Sequence, residues 1–203
     1  MSILLAATLI ARVTVIVPKE GLDEKFEAGY RRHLQWHRVH RDPWTWYGWS
    51  ILSGERLGWF VDATLDHTES EIDAPVAPAE DSADNANNVE PYARFASSAL
   101  YRMRPDLCSA SVQPTTPFAS MIHVRVKPAQ KEPFESALRA RKPSAICMEL
   151  ASGGEQPSYL LIAPRQKFSA AIAVDEPLPM ELIESLTVEA LKYRADLTYI
   201  PER

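Results

Sequence analysis

Glycine is scarce in this chain, with seven in 203 residues, and cysteine scarcer, with two. So few glycines, and no GxGxxG or GxxxxGK spacing, exclude a backbone loop built to cradle a phosphate. There is no GxSxG and no HExxH, which excludes the usual esterase elbow and zinc-protease helix. Cys108 and Cys147 form no CxxC, so neither a disulfide framework nor a thiolate metal site is expected. They read as small buried hydrophobes in a reduced, cytoplasmic protein. Long apolar runs are missing too. The N-terminal stretch Ile3–Ala11 falls short of the ~20 residues a membrane helix needs. It has no positive residue before it and runs into Arg12, so it is expected to lead into a first strand rather than act as a secretory leader. Basic charge is in deficit, 22 Lys and Arg against 27 Asp and Glu, which argues against a nucleic-acid surface.

What is present suffices for a core, with 46% apolar and 24% charged residues. Laid on itself, the chain repeats. Arg12–Arg32 resembles Met121–Arg141, pairing Phe26 with Phe134. Ser53–Ala63 resembles Gly153–Ala163, pairing Trp59 with Tyr159. Met103–Leu107 resembles Tyr193–Leu197. Each copy opens on an alternating strand, Val13, Val15 and Val17 or Ile122, Val124 and Val126. A helix follows, Asp23 to about Arg41 or Glu132 to about Arg141, each stopped at a proline. Two strands come next, 44–52 and 57–64 or 145–151 and 158–164. A second helix and last strand close each unit, 89–97 then 100–107, and 180–189 then 191–200. The Ala-, Pro- and Asp-rich stretch 74–90 reads as a surface-loop insertion, because no hydrophobic period survives in it. The expected layout is a first repeat over 1–112, a linker over 113–117 and a second repeat over 118–203.

A tandem βαββαβ of this pattern resembles the dimeric α+β barrel group of ferredoxin-like folds. That resemblance implies an α+β protein whose two units pair their sheets into one barrel, a pseudo-dimer within the chain. The group includes cofactor-independent monooxygenases, small isomerases and haem-binding oxidases, and fold-level analogy alone does not choose among them.

Three sets of residues are candidates for chemistry. His33, His37 and His40 project from one helix face, and a neighbouring pair could chelate a metal with help from Asp62, Asp66 or His67. The same stripe continues Phe26 and Tyr30 and equally suits packing on the sheet. Arg31–Arg41 holds four arginines and no acid, whereas Asp62–Glu90 holds nine acids and no Lys or Arg, so the two stretches are expected to face each other. All five tryptophans lie between Trp36 and Trp59. They fill a core or line a pocket, with Gly48 leaving room for a planar ligand. Finally, if the valine face meets the helices, Arg12, Thr14, His123 and Arg125 point into the barrel, near Asp62, Arg102 and Glu149.

Three functional expectations follow. The first is a protein with no cofactor that binds a small aromatic or anionic molecule. His123, Arg125 and Asp62 would be its catalytic candidates, and Trp46, Trp49, Arg12 and Arg102 would line the ligand site. The second is a metal or haem protein using His33, His37 and His40. The third is an interaction module with the acidic loop as its contact. No nucleic-acid or membrane partner is expected, and the assembly is a monomer or a homodimer.

Overall fold

The structure, a computed structural model, describes residues 8–109, 114–173 and 175–202. Strand β1 (Ile10–Pro18) turns at Gly21 into helix α1 (Asp23–Val39), whose first turn is acidic and last turn basic, as the helix dipole favours. β2 (Tyr47–Ile51) and β3 (Phe60–His67) form the expected antiparallel hairpin. α2 (Glu69–Asp73) opens on a capping box between Thr68 and Glu71, α3 (Pro78–Asn88) follows, and β4 (Ala93–Met103) ends the first half. The second half runs β5 (Phe118–Val126), α4 (Lys131–Arg141), β6 (Ile146–Ser152), β7 (Ser158–Arg165), short α5 (Phe168–Ala171) and β8 (Ile183–Tyr193).

The eight strands are antiparallel and close into one barrel in the order β1-β3-β2-β8-β5-β7-β6-β4. Strands β4-β1-β3-β2 and β8-β5-β7-β6 hold the same relative order, and the halves join at β2–β8 and β4–β6. The lumen is apolar and filled by Val13, Trp49, Val61, Met121, Met148, Leu160, Ile162 and Leu191. Outside it, α1 covers a core of Ile16, Phe26, Tyr30, Leu34 and Phe60, and α4 covers one of Ile122, Val124, Phe134, Leu138 and Tyr159. No described helix is long and apolar enough to cross a membrane.

The halves are also clamped crosswise. Arg104, just past β4, donates to Glu135 on α4, while Arg194, just past β8, donates to Glu27 on α1. Each arginine also holds an aspartate two residues on, Asp106 or Asp196. Leu107 then enters the α4 core and Leu197 the α1 core. The Met103–Leu107 and Tyr193–Leu197 likeness therefore marks where each half reaches into the other.

Several expectations are corrected. The stretches read as closing helices are strands, β4 over Ala93–Met103 and β8 over Ile183–Tyr193. Both carry a register shift against their partner, β4 opposite Val15/Ile16 and β8 opposite Arg125/Val126. A bulge breaks two-residue alternation into a spacing that mimics a helix. The supposed loop 74–90 contains α3, which buries no side chain and so shows no hydrophobic period. Val13 lies in the lumen beside Met121, whereas Ile122, Val124 and Val126 meet α4. Matching the valines to Ile122 slips the register by one residue, which exchanges faces. Arg12 and Thr14 are therefore outside the barrel. Cys108 and Cys147 are buried as expected but form a disulfide, which removes the premise for a reduced compartment. Residues 3–7 of the N-terminal run and Gln113 of the linker lie outside the described residues.

Candidate functional site

The strand starts of β1, β2, β5 and β6 gather at one mouth of the barrel, and a cleft of about 830 Å³ opens there. Its walls include Tyr47, Leu65, Asp66, Arg102, Met103, Arg104 and Glu149. Tyr47 stacks on Trp49 in the lumen at 5.7 Å, and Trp49 reaches Tyr193 at 6.2 Å. The Trp49 indole N–H is fully buried with no acceptor. Burial pushes the Tyr47 phenol above its ordinary range, with Tyr193 and Asp66 adding to the effect. Trp49 fills the lumen beneath this mouth, whereas Arg102, between the lumen residues Tyr101 and Met103 on β4, projects to the outer side and borders the cleft from there. Gly48 does not leave room for a ligand, because the Leu197 carbonyl lies 2.2 Å from where its Cβ would stand.

At the other mouth the lumen face turns ionisable. Glu189, next inward-facing residue before Leu191 on β8, is buried and held by Arg56 from the β2–β3 turn. Arg56 also donates to His123 Nε2 at 2.9 Å, which requires that nitrogen to be an acceptor. Arg125 is taken by Glu155 and Glu184 at the surface. His123, Arg125 and Glu155 border a smaller cleft of about 270 Å³. Asp62, expected beside His123 and Arg125, is instead on the outer face of β3 beneath α1.

That outer face carries the third cluster. From α1, His33 Nδ1 bonds Asp84 Oδ2 at 2.8 Å, and His37 Nδ1 bonds Asp42 Oδ2 at 2.7 Å. The two Nε2 atoms face each other at 3.2 Å. Asp81 Oδ1 on α3 lies 3.5 Å from His33 Nε2 and 3.9 Å from His37 Nε2, and makes no hydrogen bond. Burial lowers the His33 imidazole towards its neutral form, helped by His37. Burial raises the Asp81 carboxyl, against the pull of both histidines. Asp62 is fully enclosed near His37, Tyr30, Asp81 and Arg12, its Oδ1 has no partner, and burial pushes its carboxyl up to about 7. Burial also acts to raise Asp42, but hydrogen bonds from His37, Trp46 and the Trp44 amide leave it below the ordinary range.

His40 is not part of this cluster. Its ring bonds the Trp36 carbonyl and Glu80 at the surface. Trp46 donates to Asp42 and packs on His37, so it lines the seam rather than the barrel. Asp66 borders the large cleft and His67 bonds Thr64, so neither joins the histidines. Asp81 and Asp84 went unnamed in the sequence, although the facing of a basic helix by an acidic stretch pointed to them.

No protein-family model and no curated protein matches this sequence. Solved structures do match in fold. A protein assigned as a monooxygenase from Lactobacillus acidophilus aligns with a TM-score of 0.62 and 14% identity, over 96% of this chain and 97% of that one. An anthrone oxidase-like protein aligns at 0.62 and 8% identity, over 98% and 95%. A haem-binding protein from Thermus thermophilus aligns at 0.55 and 7% identity, over 94% and 93%. At such identities the likeness is one of fold.

The residues present do not fit haem. Among the described residues the large cleft is lined by no histidine, its two cysteines are tied to each other, and burial disfavours the Tyr47 phenolate. The cleft that does contain a histidine is smaller than the ~300–1,000 Å³ of ordinary small-molecule sites.

Proposed function

We propose that this chain binds a small aromatic or anionic molecule in the Tyr47 mouth of its barrel and is a monooxygenase-like or isomerase-like enzyme. The observation that carries the reading is the cleft itself. At about 830 Å³ it falls within the ~300–1,000 Å³ range of small-molecule sites. Tyr47, with Leu65, Met103 and Ile146, forms its apolar side and is backed in the lumen by Trp49 and Tyr193, and Arg102 with the Arg104–Glu149 pair forms its charged rim. A flat ring would lie against Tyr47 and an anionic group would face Arg102. The fold shared with a protein assigned as a monooxygenase and an anthrone oxidase-like protein supports the monooxygenase-like side of this reading.

In this reading the halves are tandem ferredoxin-like repeats, about 1–112 and 118–203. The shared strand order and the reciprocal clamps support that division. The barrel closes within one chain, so a monomer suffices.

Native mass spectrometry of the protein as purified tests the reading, followed by titration with hydroxylated aromatic carboxylates while Trp fluorescence is observed. Binding is expected to perturb Trp49. Tyr47→Ala is expected to weaken it about tenfold or more, because burying an aromatic face contributes roughly 1.5–3 kcal/mol. Unchanged affinity in both Tyr47→Ala and Arg102→Ala would place the ligand elsewhere.

A further inference from the structure

We propose that the seam between α1 and α3 is a mononuclear site for a divalent transition-metal ion, ligated by His33 Nε2, His37 Nε2 and Asp81 Oδ1. The site is separate from the cleft at the Tyr47 mouth and does not depend on what that cleft binds.

The hydrogen bonds settle which nitrogens are free. A carboxylate only accepts, so the Nδ1–H of each histidine donates to its aspartate, His33 to Asp84 and His37 to Asp42. In the neutral imidazoles both Nε2 atoms carry lone pairs, yet they face each other at 3.2 Å. Two lone pairs at that separation need a positive species between them. A shared proton would satisfy only the two nitrogens, and Asp81 Oδ1 would remain buried and unbonded beside them. A metal ion satisfies all three.

The spacing agrees. Bonds of about 2.0–2.1 Å to a tetrahedral metal separate the ligand atoms by about 3.3–3.4 Å. Here the two nitrogens are 3.2 Å apart and the oxygen is 3.5 and 3.9 Å from them. The three atoms lie within 4.8 Å of one another. Two imidazoles and one carboxylate suit a borderline ion such as Zn²⁺, Co²⁺ or Fe²⁺, and not Ca²⁺ or Mg²⁺, which prefer oxygen alone.

The surroundings have the form of a supported site. Each ligating imidazole is oriented by a carboxylate on its far nitrogen, the arrangement that fixes tautomer and ring direction in metalloproteins. Trp46 and the Trp44 amide in turn hold Asp42. Asp62 adds an enclosed carboxyl with an unbonded oxygen nearby. Both histidines are buried, while the Asp81 side chain is one-third exposed, so an ion would enter from the α3 side.

The test uses the full chain stripped with a chelator and titrated with Zn²⁺, with Co²⁺ as the spectroscopic probe. One equivalent is expected to bind, to raise the melting temperature, and to give Co²⁺ visible bands of a low-symmetry nitrogen–oxygen site. Asp81→Asn is the diagnostic variant, because it changes a ligand on a surface helix without emptying the core. It is expected to weaken Zn²⁺ binding by at least ~100-fold, beyond the usual outer-shell loss of about 10- to 100-fold. Glu80→Gln, one residue away but bonded to His40, is expected to bind as the parent does. Absence of Zn²⁺ binding, or equal affinity in the parent and Asp81→Asn, would overturn the proposal. So would nitrogen NMR showing the same protonated imidazolium at His33 or His37 with and without Zn²⁺.

Discussion

Arg104→Ala is expected to lower stability at neutral pH by roughly 1.5–3 kcal/mol, the cost of removing charge-assisted hydrogen bonds from a buried carboxylate that keeps only its pairing with Arg139 and Lys131. Arg104 donates to both oxygens of Glu135, at 2.6 and 2.9 Å, and to Glu149 at 2.8 Å. The Tyr159 hydroxyl donates to Glu135 as well, at 2.7 Å. Without the guanidinium, Glu135, on the buried face of α4, keeps the Tyr159 hydroxyl and the exposed Arg139 as donors and gains the repulsion of Glu149. In the intact protein the Arg104 hydrogen bonds, opposed by burial, hold the Glu135 carboxyl down at about 2, and do the same for Asp106.

The sign of the pH dependence follows. A carboxyl depressed on folding contributes stability above its unfolded pKa of about 4, and that contribution is lost as pH falls from there towards 2. In Arg104→Ala the same carboxyl, buried without its principal cation, takes up a proton more readily. The stability difference between the two proteins is therefore expected to shrink between pH 7 and pH 3. Urea unfolding at both pH values measures it. A loss below about 1 kcal/mol, or one that is flat with pH, would show the cluster to be no stronger than an exposed pair. The counterpart Arg194→Ala should cost clearly less, because Glu27 is more exposed than Glu135 and solvent screens the pair.

Gly29→Ala is expected to detach the C-terminal end of α3. A Cβ at Gly29 would stand 1.9 Å from the Asn88 backbone oxygen, and backbone cannot step aside as a side-chain tip can. Alanine raises helix propensity by about 1 kcal/mol, but overpacking of this kind costs roughly 1–3 kcal/mol and here the clash is with main chain. α3 has no buried side chain of its own to resist, so it is expected to give way. Hydrogen exchange should show lost protection over residues 78–88 with the barrel strands unchanged. Zn²⁺ affinity should fall with it, because Asp81 and Asp84 ride on that helix. Intact protection across α3 would mean that α1 bends instead.

How much of this was legible beforehand differs from element to element. The α+β class, the strand–helix–strand–strand opening of each half and the stripe of Phe26, Tyr30 and Leu34 all follow from local periodicity. The likeness of Met103–Leu107 to Tyr193–Leu197 was also visible, though its purpose as a crosswise clamp was not. Of the candidate site residues, His33 and His37 could be paired from helical spacing alone. Their partner Asp81 lies more than forty residues away on a helix with no apolar face, where a hydrophobic pattern carries no signal. The acid-rich composition of that stretch was the only pointer.

The sequence by itself determined which segments alternate and which helix faces are apolar, because these are properties of neighbouring residues. Tertiary structure alone decided which face of β1 looks inward. A one-residue choice of register reverses every side chain on a strand, and only closure of the barrel settles it. The same closure put a bulge in β4 and β8 and made strands of stretches with a helical spacing. It also sent Asp62 outward to the histidines and left His123 at the barrel mouth. Proximity between distant side chains is set by how the strands close, and no local pattern of residues encodes it.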